Sequence, residues 1–205
     1  MAYTVHEIFL TAQGEGANLG RVAVFVRFAG CNLWSGREED RATAICRFCD
    51  TDFRGGQGFA DSGMLADSVA ALWPHAAGER LAVLTGGEPL LQVDAMLVEA
   101  LHARGFRVAV ETNGTQLLPC TLDWVCVSPK AGATLLLAEA DELKLVYPQP
   151  GAEPELFGAF QATYRWLSPM DGPAIAANIQ AAADYCLGHP QWRLNIQAHK
   201  TWGLR

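Results

Sequence analysis

Residues 81–89 read LAVLTGGEP. The run LAVL is short and apolar, as a strand buried on both faces is. Two adjacent glycines end it, and the stretch 93–104 then carries Leu97 and Leu101 at helical spacing before Gly105, a C-terminal cap. A strand, a glycine turn and a helix in succession expose backbone at the strand's C-terminal end, where a ligand can approach closely. The turn lacks the Gly-Lys-Ser/Thr of a phosphate loop and the G-x-G-x-x-G of a dinucleotide fingerprint. Taken alone it is also compatible with an ordinary sharp turn.

The same unit recurs on both sides. Further strands are expected at 23–28 (AVFVRF), 106–111, 122–127, 143–147, 162–167 and 193–198. Asp61 and Ser62 can cap a helix running to about Trp73. Pro173 suits a first helical turn, and Gly188 with Pro190 closes that helix. Alternating strands and helices predict a parallel sheet with right-handed crossovers. About six units fall short of an eight-unit barrel of roughly 250 residues. The expected fold is therefore α/β: a partial, open (β/α)6-like TIM barrel, reduced in helices, forming one domain over 1–205. Ligands are expected at the C-terminal ends of its strands.

Composition narrows the function. The chain has 205 residues, half of them hydrophobic and 18% charged, so a sizeable core is possible and a disordered chain is excluded. Its net charge of −7 argues against direct, non-specific nucleic-acid binding. No apolar run approaches the ~20 residues of a membrane span, and residues 1–10 lack a secretory pattern. A cytoplasmic protein is expected, in which cysteines are more often buried, metal-bound or catalytic than paired.

Three of the six cysteines sit together after the first strong strand: Cys31, then Cys46 and Cys49 as a C-x-x-C pair, with residues 32–45 as an intervening loop. Soft thiolates favour zinc, copper(I) or an iron–sulfur cluster. A structural zinc needs a fourth ligand, which no nearby histidine supplies. Three cysteines on a four-iron cluster leave one iron open. A zinc knuckle with a distant fourth ligand remains the alternative. Cys126 and Cys186 fit burial as small apolar side chains. Polar turns also end later strands: ETNG at 111–114, SPK at 128–130 and SPMDG at 168–172. Four such turns at strand ends exceed what loop composition alone explains.

Three cysteines after one strand and GGEP after the next resemble the radical S-adenosylmethionine superfamily, with C-x14-C-x2-C in place of the usual C-x3-C-x2-C. The segments at 7–36, CDTDF at 49–53, TGGEPLLQ at 85–92, ETNGT, VSPKA and QAHK at 197–200 are similar to the 7-carboxy-7-deazaguanine synthase family over nearly the whole chain. That resemblance implies a [4Fe–4S] cluster on Cys31, Cys46 and Cys49, its open iron chelating S-adenosylmethionine. The adenosyl radical would take hydrogen from C6 of 6-carboxy-5,6,7,8-tetrahydropterin. Ring contraction and loss of ammonia would give 7-carboxy-7-deazaguanine, on the route to queuosine and other 7-deazapurines.

Carried over by position, the resemblance assigns adenosylmethionine to Phe48, Cys49 and Asp50, to Gly86, Gly87 and Glu88, and to Glu111 and Asn113. It adds Ser128, Pro129, Lys130, Ser168, Pro169, Met170 and Asp171, with Ser168 standing where relatives often carry glutamine. The pterin falls to Ala12, Gln13, Gly14, Thr85 and Arg27, the last fitting its carboxylate bidentately. His199, closing the last expected strand, joins as a substrate contact, and the terminal carboxylate of Arg205 is expected in the site, since HKTWGLR follows that strand directly. Thr51 is implied as the Mg2+ ligand, although chemistry alone favours Asp50 or Asp52. His6, His75, His102 and His189 read as surface residues. The run REEDR at 37–41 reads as a solvated face, with docking of a flavodoxin-type electron donor as the alternative. An incomplete barrel leaves apolar surface to cover, and the resemblance implies a homodimer.

Overall fold

The computed structural model describes residues 2–74 and 78–204. The expectations at His75 and Arg205 lie outside the described residues. The first strand, β1 (Tyr3–Ala12), was not expected from the sequence, and β2 (Val22–Phe28) returns antiparallel to it. Short β3 (Gln57–Phe59) pairs with the other side of β1, again antiparallel. From β2 onward every pairing is parallel: β4 (Arg80–Gly86), β5 (Phe106–Thr112), β6 (Trp124–Val127), β7 (Glu139–Tyr147), β8 (Gln161–Pro169) and β9 (Arg193–Leu194). The order β3-β1-β2-β4-β5-β6-β7-β8-β9 leaves β3 and β9 as edges. The sheet is a partial barrel that does not close.

Among the described residues, three helices of eight or more residues cover the outer face. In α1 (Ser62–Leu72) the Asp61 carboxylate accepts from Met64 N at 2.8 Å. In α2 (Ala95–His102) Asp94 accepts from Leu97 N at 2.9 Å and from the Tyr3 hydroxyl at 2.8 Å. Each carboxylate satisfies an orphan N–H of the first turn. The third, α3 (Ile175–Gly188), ends at the glycine expected to close it. The links between β5 and β6 and between β6 and β7 contain no helix, so the barrel is indeed reduced in helices.

Two corrections concern the C-terminal segment. The strand expected over 193–198 spans only Arg193–Leu194, and residues Ala198–Trp202 form a short helix, α4. His199 therefore sits on α4 and does not close a strand. The chain turns back because Ala198 N donates to Gly14 O at 3.0 Å, a bond to the loop after β1 in place of one to the sheet.

Strand alternation explains the rest. Val24, Val26, Leu84, Val108, Val110, Leu143, Leu145 and Leu167 face outward and pack with Leu65, Val69, Leu97 and Leu101 in one core. Emptying one such leucine site costs about 2–5 kcal/mol. The concave face carries a smaller cluster, Ala23, Leu81, Val83 and Ala109, with Phe25 and Trp124 against it. One step further along each strand the same face turns polar: Arg27, Thr85, Glu111, Lys144 and Ser168. Side chains alternate with period two, so these five converge on the concave side at the strands' C-terminal ends.

Candidate active site

Two cavities, of about 220 and 440 Å3, open at this end of the barrel and share Glu15, Asp50, Thr51, Thr85, Glu111 and Gln197 as common walls. A small polar constellation in a concave pocket is the usual form of a ligand site.

The smaller cavity is lined by Cys31, Cys46 and Cys49 together with Phe48, Gly86, Gly87, Asn113, Ser128, Lys130, Ser168, Pro169 and Asp171. These residues come from four strand ends, those of β4, β5, β6 and β8, and from the loop after β2. A hydrogen bond from the Cys46 thiol holds Cys49 down at about 6. The same contact, with burial, pushes Cys46 far up, and burial raises Cys31. Cys49 is thus the ready thiolate of the pair. Among the described residues, no three His, Cys, Asp or Glu side chains converge on a point where one metal ion would sit. Three thiols around one cavity suit a multi-iron group held by cysteine thiolates with a fourth position left open.

Glycine is required where the turn after β4 meets this group. A Cβ on Gly87 would lie 2.1 Å from Gly30 O and 2.8 Å from Cys31 Cβ, and Gly86 has φ +139°. The close approach brings the GGEP backbone beside the first cysteine. Glu88 does not line either cavity. It is fully buried, and its carboxylate accepts from Thr112 Oγ1 (2.7 Å), Asn113 N (2.7 Å) and Leu90 N (3.0 Å). Burial raises it despite these donors. It ties the β4 turn to the β5 turn. Pro129 and Met170 also lie outside both linings. Lys130 bends back onto Ser128, with Nζ 2.5 Å from its carbonyl and 2.8 Å from its hydroxyl, and burial lowers its pKa.

The larger cavity is lined by Ala12, Gln13, Gly14, Arg27, Thr85 and His199. All six were expected there from resemblance, alongside Thr51 at the junction. Arg27 Nε donates to Glu7 at 2.8 Å, and its guanidinium lies 5.8 Å from the Phe9 ring centroid. Gln13 Nε2 donates to Glu111 at 2.9 Å.

Several functional candidates escaped the sequence reading. Lys144 Nζ lies 2.6 Å from Glu15 and 3.7 Å from Glu111, in the lining of the smaller cavity. Burial opposes its charge, yet Glu111 and Glu15 carry it well above the ordinary lysine value. Burial likewise pushes Glu15 up, and Lys144 more than offsets it. Alternation within LKLVY could have exposed Lys144: Leu143 and Leu145 are core residues, so Lys144 must point the other way. On α4, Lys200 pairs with Asp171 (2.5 Å) and Asp50 (3.0 Å), joining the end of β8 to the cysteine loop. His102, read as a surface residue, accompanies Asp123 at 2.8 Å.

No protein-family profile matches the chain. Curated relatives do. A 7-carboxy-7-deazaguanine synthase of Bradyrhizobium diazoefficiens is 59% identical over 210 residues, covering 100% of both chains. One from Bordetella pertussis is 57% identical, again over 100% of both. Among solved structures, QueE from Escherichia coli matches with a TM-score of 0.76 and 27% identity, covering 97% of this chain and 95% of that one. With three cysteines and the Gly86–Gly87 turn gathered in one cavity and relatives aligned along its full length, the chain belongs to the 7-carboxy-7-deazaguanine synthase family.

Proposed function

We propose that this chain converts 6-carboxy-5,6,7,8-tetrahydropterin to 7-carboxy-7-deazaguanine and ammonia by radical S-adenosylmethionine chemistry, in queuosine and 7-deazapurine biosynthesis. The observation that carries this reading is the pair of adjoining cavities, one lined by cysteines and the other by polar groups, with Thr85 and Glu111 common to both. When bound, the cluster and S-adenosylmethionine supply the oxidising radical. The protein supplies position and a confined site.

Cys31, Cys46 and Cys49 hold the [4Fe–4S] cluster. The backbone of Gly86 and Gly87 takes the methionyl amino group, and the backbone over Phe48 and Asp50 forms the adenine wall. Glu111 and Asn113 stand at the ribose, with Ser128, Lys130, Ser168, Pro169 and Asp171 completing the enclosure. Glu88, which holds Asn113 N, acts behind that surface. In the larger cavity the Arg27 guanidinium leaves Glu7 to fork onto the pterin carboxylate. The main chain of Ala12 and Gly14, with Gln13, Thr85 and His199, hydrogen-bonds the ring. The Lys144 ammonium keeps Glu15 ionised as an acceptor for the pterin's N–H groups.

Mg2+ belongs at Thr51. Asp50 is engaged by Lys200 at 3.0 Å and Asp52 by Arg54 at 3.0 Å, leaving Thr51 between two committed carboxylates. A magnesium ion that keeps waters and substrate oxygens needs few protein ligands. We further read 1–205 as one domain, with 32–45 as an expanded cluster loop. The partner copy of a homodimer covers apolar surface such as half-exposed Val22 and Leu10, on the β1–β2 hairpin. A flavodoxin-type protein delivers the electron. Among the described residues no helix is long and apolar enough to cross a membrane.

The test is anaerobic turnover of 6-carboxytetrahydropterin with S-adenosylmethionine and reductant, with and without Mg2+. Product and ammonia are expected, faster with Mg2+. A chain that binds zinc in place of iron and sulfide and forms no product would refute the reading.

A further inference from the structure

The expanded cluster loop contains an arginine that its solvated-face reading left without a role. Arg41 is the partly buried member of 37–41, with a side chain 27% exposed against 78% for Glu38. Its Nη1 donates to the carbonyl of Arg47 at 2.9 Å and to that of Cys49 at 3.1 Å. Its Nε is 2.8 Å from both carboxylate oxygens of Glu38. The guanidinium carbon Cζ lies over the Trp34 ring, 4.1 Å from its centroid. Trp34 is itself fixed, since its indole N–H donates to Arg37 O at 3.0 Å and its ring meets Phe53 edge-on at 5.6 Å. It also lines the cysteine cavity.

We infer that Arg41 is a positioning residue that clamps the Cys46–Cys49 hairpin onto the Trp34 wall and so fixes the two thiols for the cluster. The loop of 32–45 is long and has no regular structure beyond one 3-10 turn at Glu38–Thr43. Without a tie, fluctuation of such a loop would spread the thiol positions. Arginine fits this place because one planar group can stack on an aromatic face while its edge donates to two carbonyls and a carboxylate. A lysine ammonium cannot do both. Groups behind metal ligands typically alter metal affinity 10–100-fold when removed.

The inference rests on the cluster being held by Cys31, Cys46 and Cys49. The experiment compares the rate at which an iron chelator bleaches the reconstituted holoprotein in wild type, Arg41→Gln, Arg41→Lys and Glu39→Gln. The apoprotein melting temperature and the reduced-cluster electron paramagnetic resonance signal are read in parallel. Bleaching about tenfold faster in both Arg41 variants is expected, with a broadened resonance and an apoprotein melting temperature near that of wild type. Glu39→Gln, an exposed neighbour in the same loop, should match wild type. Wild-type bleaching in Arg41→Gln would overturn the inference, as would rescue by lysine, which would reduce the role to charge. A fall in apoprotein melting temperature without faster bleaching would overturn it too, making Arg41 a general stabiliser. A wild-type protein that takes up no cluster would instead defeat the underlying functional reading.

Discussion

The Lys144 ammonium lies 2.6 Å from a Glu15 carboxylate oxygen, with side chains 11% and 15% exposed, and Glu15 lines both cavities. Glu111 stands 3.7 Å away on the other side. One cation thus lies between two carboxylates and holds Glu15 below its ordinary value against the effect of burial.

Lys144→Met should therefore cost about 3–5 kcal/mol, the range for stranding a buried charge. Urea denaturation at neutral pH measures it. Glu15 titrates below its ordinary value, so the pair's contribution is complete above the unfolded glutamate value. It is lost as pH falls through the lower folded value. The gap between wild type and variant should accordingly close in acid. A gap independent of pH would show that Glu15 is not the partner that matters.

Glu88 predicts the opposite slope. Burial raises it, so its contribution is present below the unfolded glutamate value and declines as pH rises through the folded one. Glu88→Gln keeps one oxygen for Thr112 and Leu90 and puts an NH2 group where the second oxygen accepts from Asn113 N. A loss of about 1–3 kcal/mol is expected, narrowing as pH rises. Asn113 is released in the same step, so affinity for S-adenosylmethionine should fall. Thermal melts across pH and equilibrium binding check the two parts.

Gly87→Ala should cost about 1–3 kcal/mol through overpacking, because the new methyl meets Gly30 O at 2.1 Å, a backbone atom that cannot swing aside. The same methyl displaces Cys31. Iron and sulfide per chain after reconstitution should drop sharply, whereas alanine at Gly188, where a Cβ meets open space, should leave both unchanged.

Gly14→Ala separates substrate binding from cofactor cleavage. A Cβ there would lie 2.3 Å from His199 Nδ1 and 2.8 Å from His199 N, forcing α4 outward. The pterin KM should rise tenfold or more, since displacements of about 1 Å can cost 100-fold. Cluster content should stay as in wild type. Equal loss of cluster and of pterin affinity would contradict the division of the site into two cavities.

The strand–turn–helix units around LAVLTGGEP and the Asp61 cap could be read from local pattern, because apolar runs and capping residues act within a few positions. Strand β1 escaped because YTVHEIFLTA mixes polar and apolar side chains along its length, and its antiparallel partners lie at 22–28 and 57–59. The strand expected over 193–198 stops at Leu194, and the short helix α4 that begins at Ala198 was not expected. A single long-range bond to Gly14 O decides its path. The cysteines, GGEP and the polar turns were legible as motifs. Lys144, Glu15, Lys200 and Arg41 were not, since each acquires its role from partners far away in sequence or from the direction its side chain takes.

The central claim is that a radical generated beside Cys31, Cys46 and Cys49 acts on a pterin in the adjoining cavity. Turnover of substrate carrying deuterium at C6, followed by mass spectrometry of 5′-deoxyadenosine, tests it most directly. The account predicts one deuterium transferred to 5′-deoxyadenosine as 7-carboxy-7-deazaguanine forms. Product formed with unlabelled 5′-deoxyadenosine would contradict it.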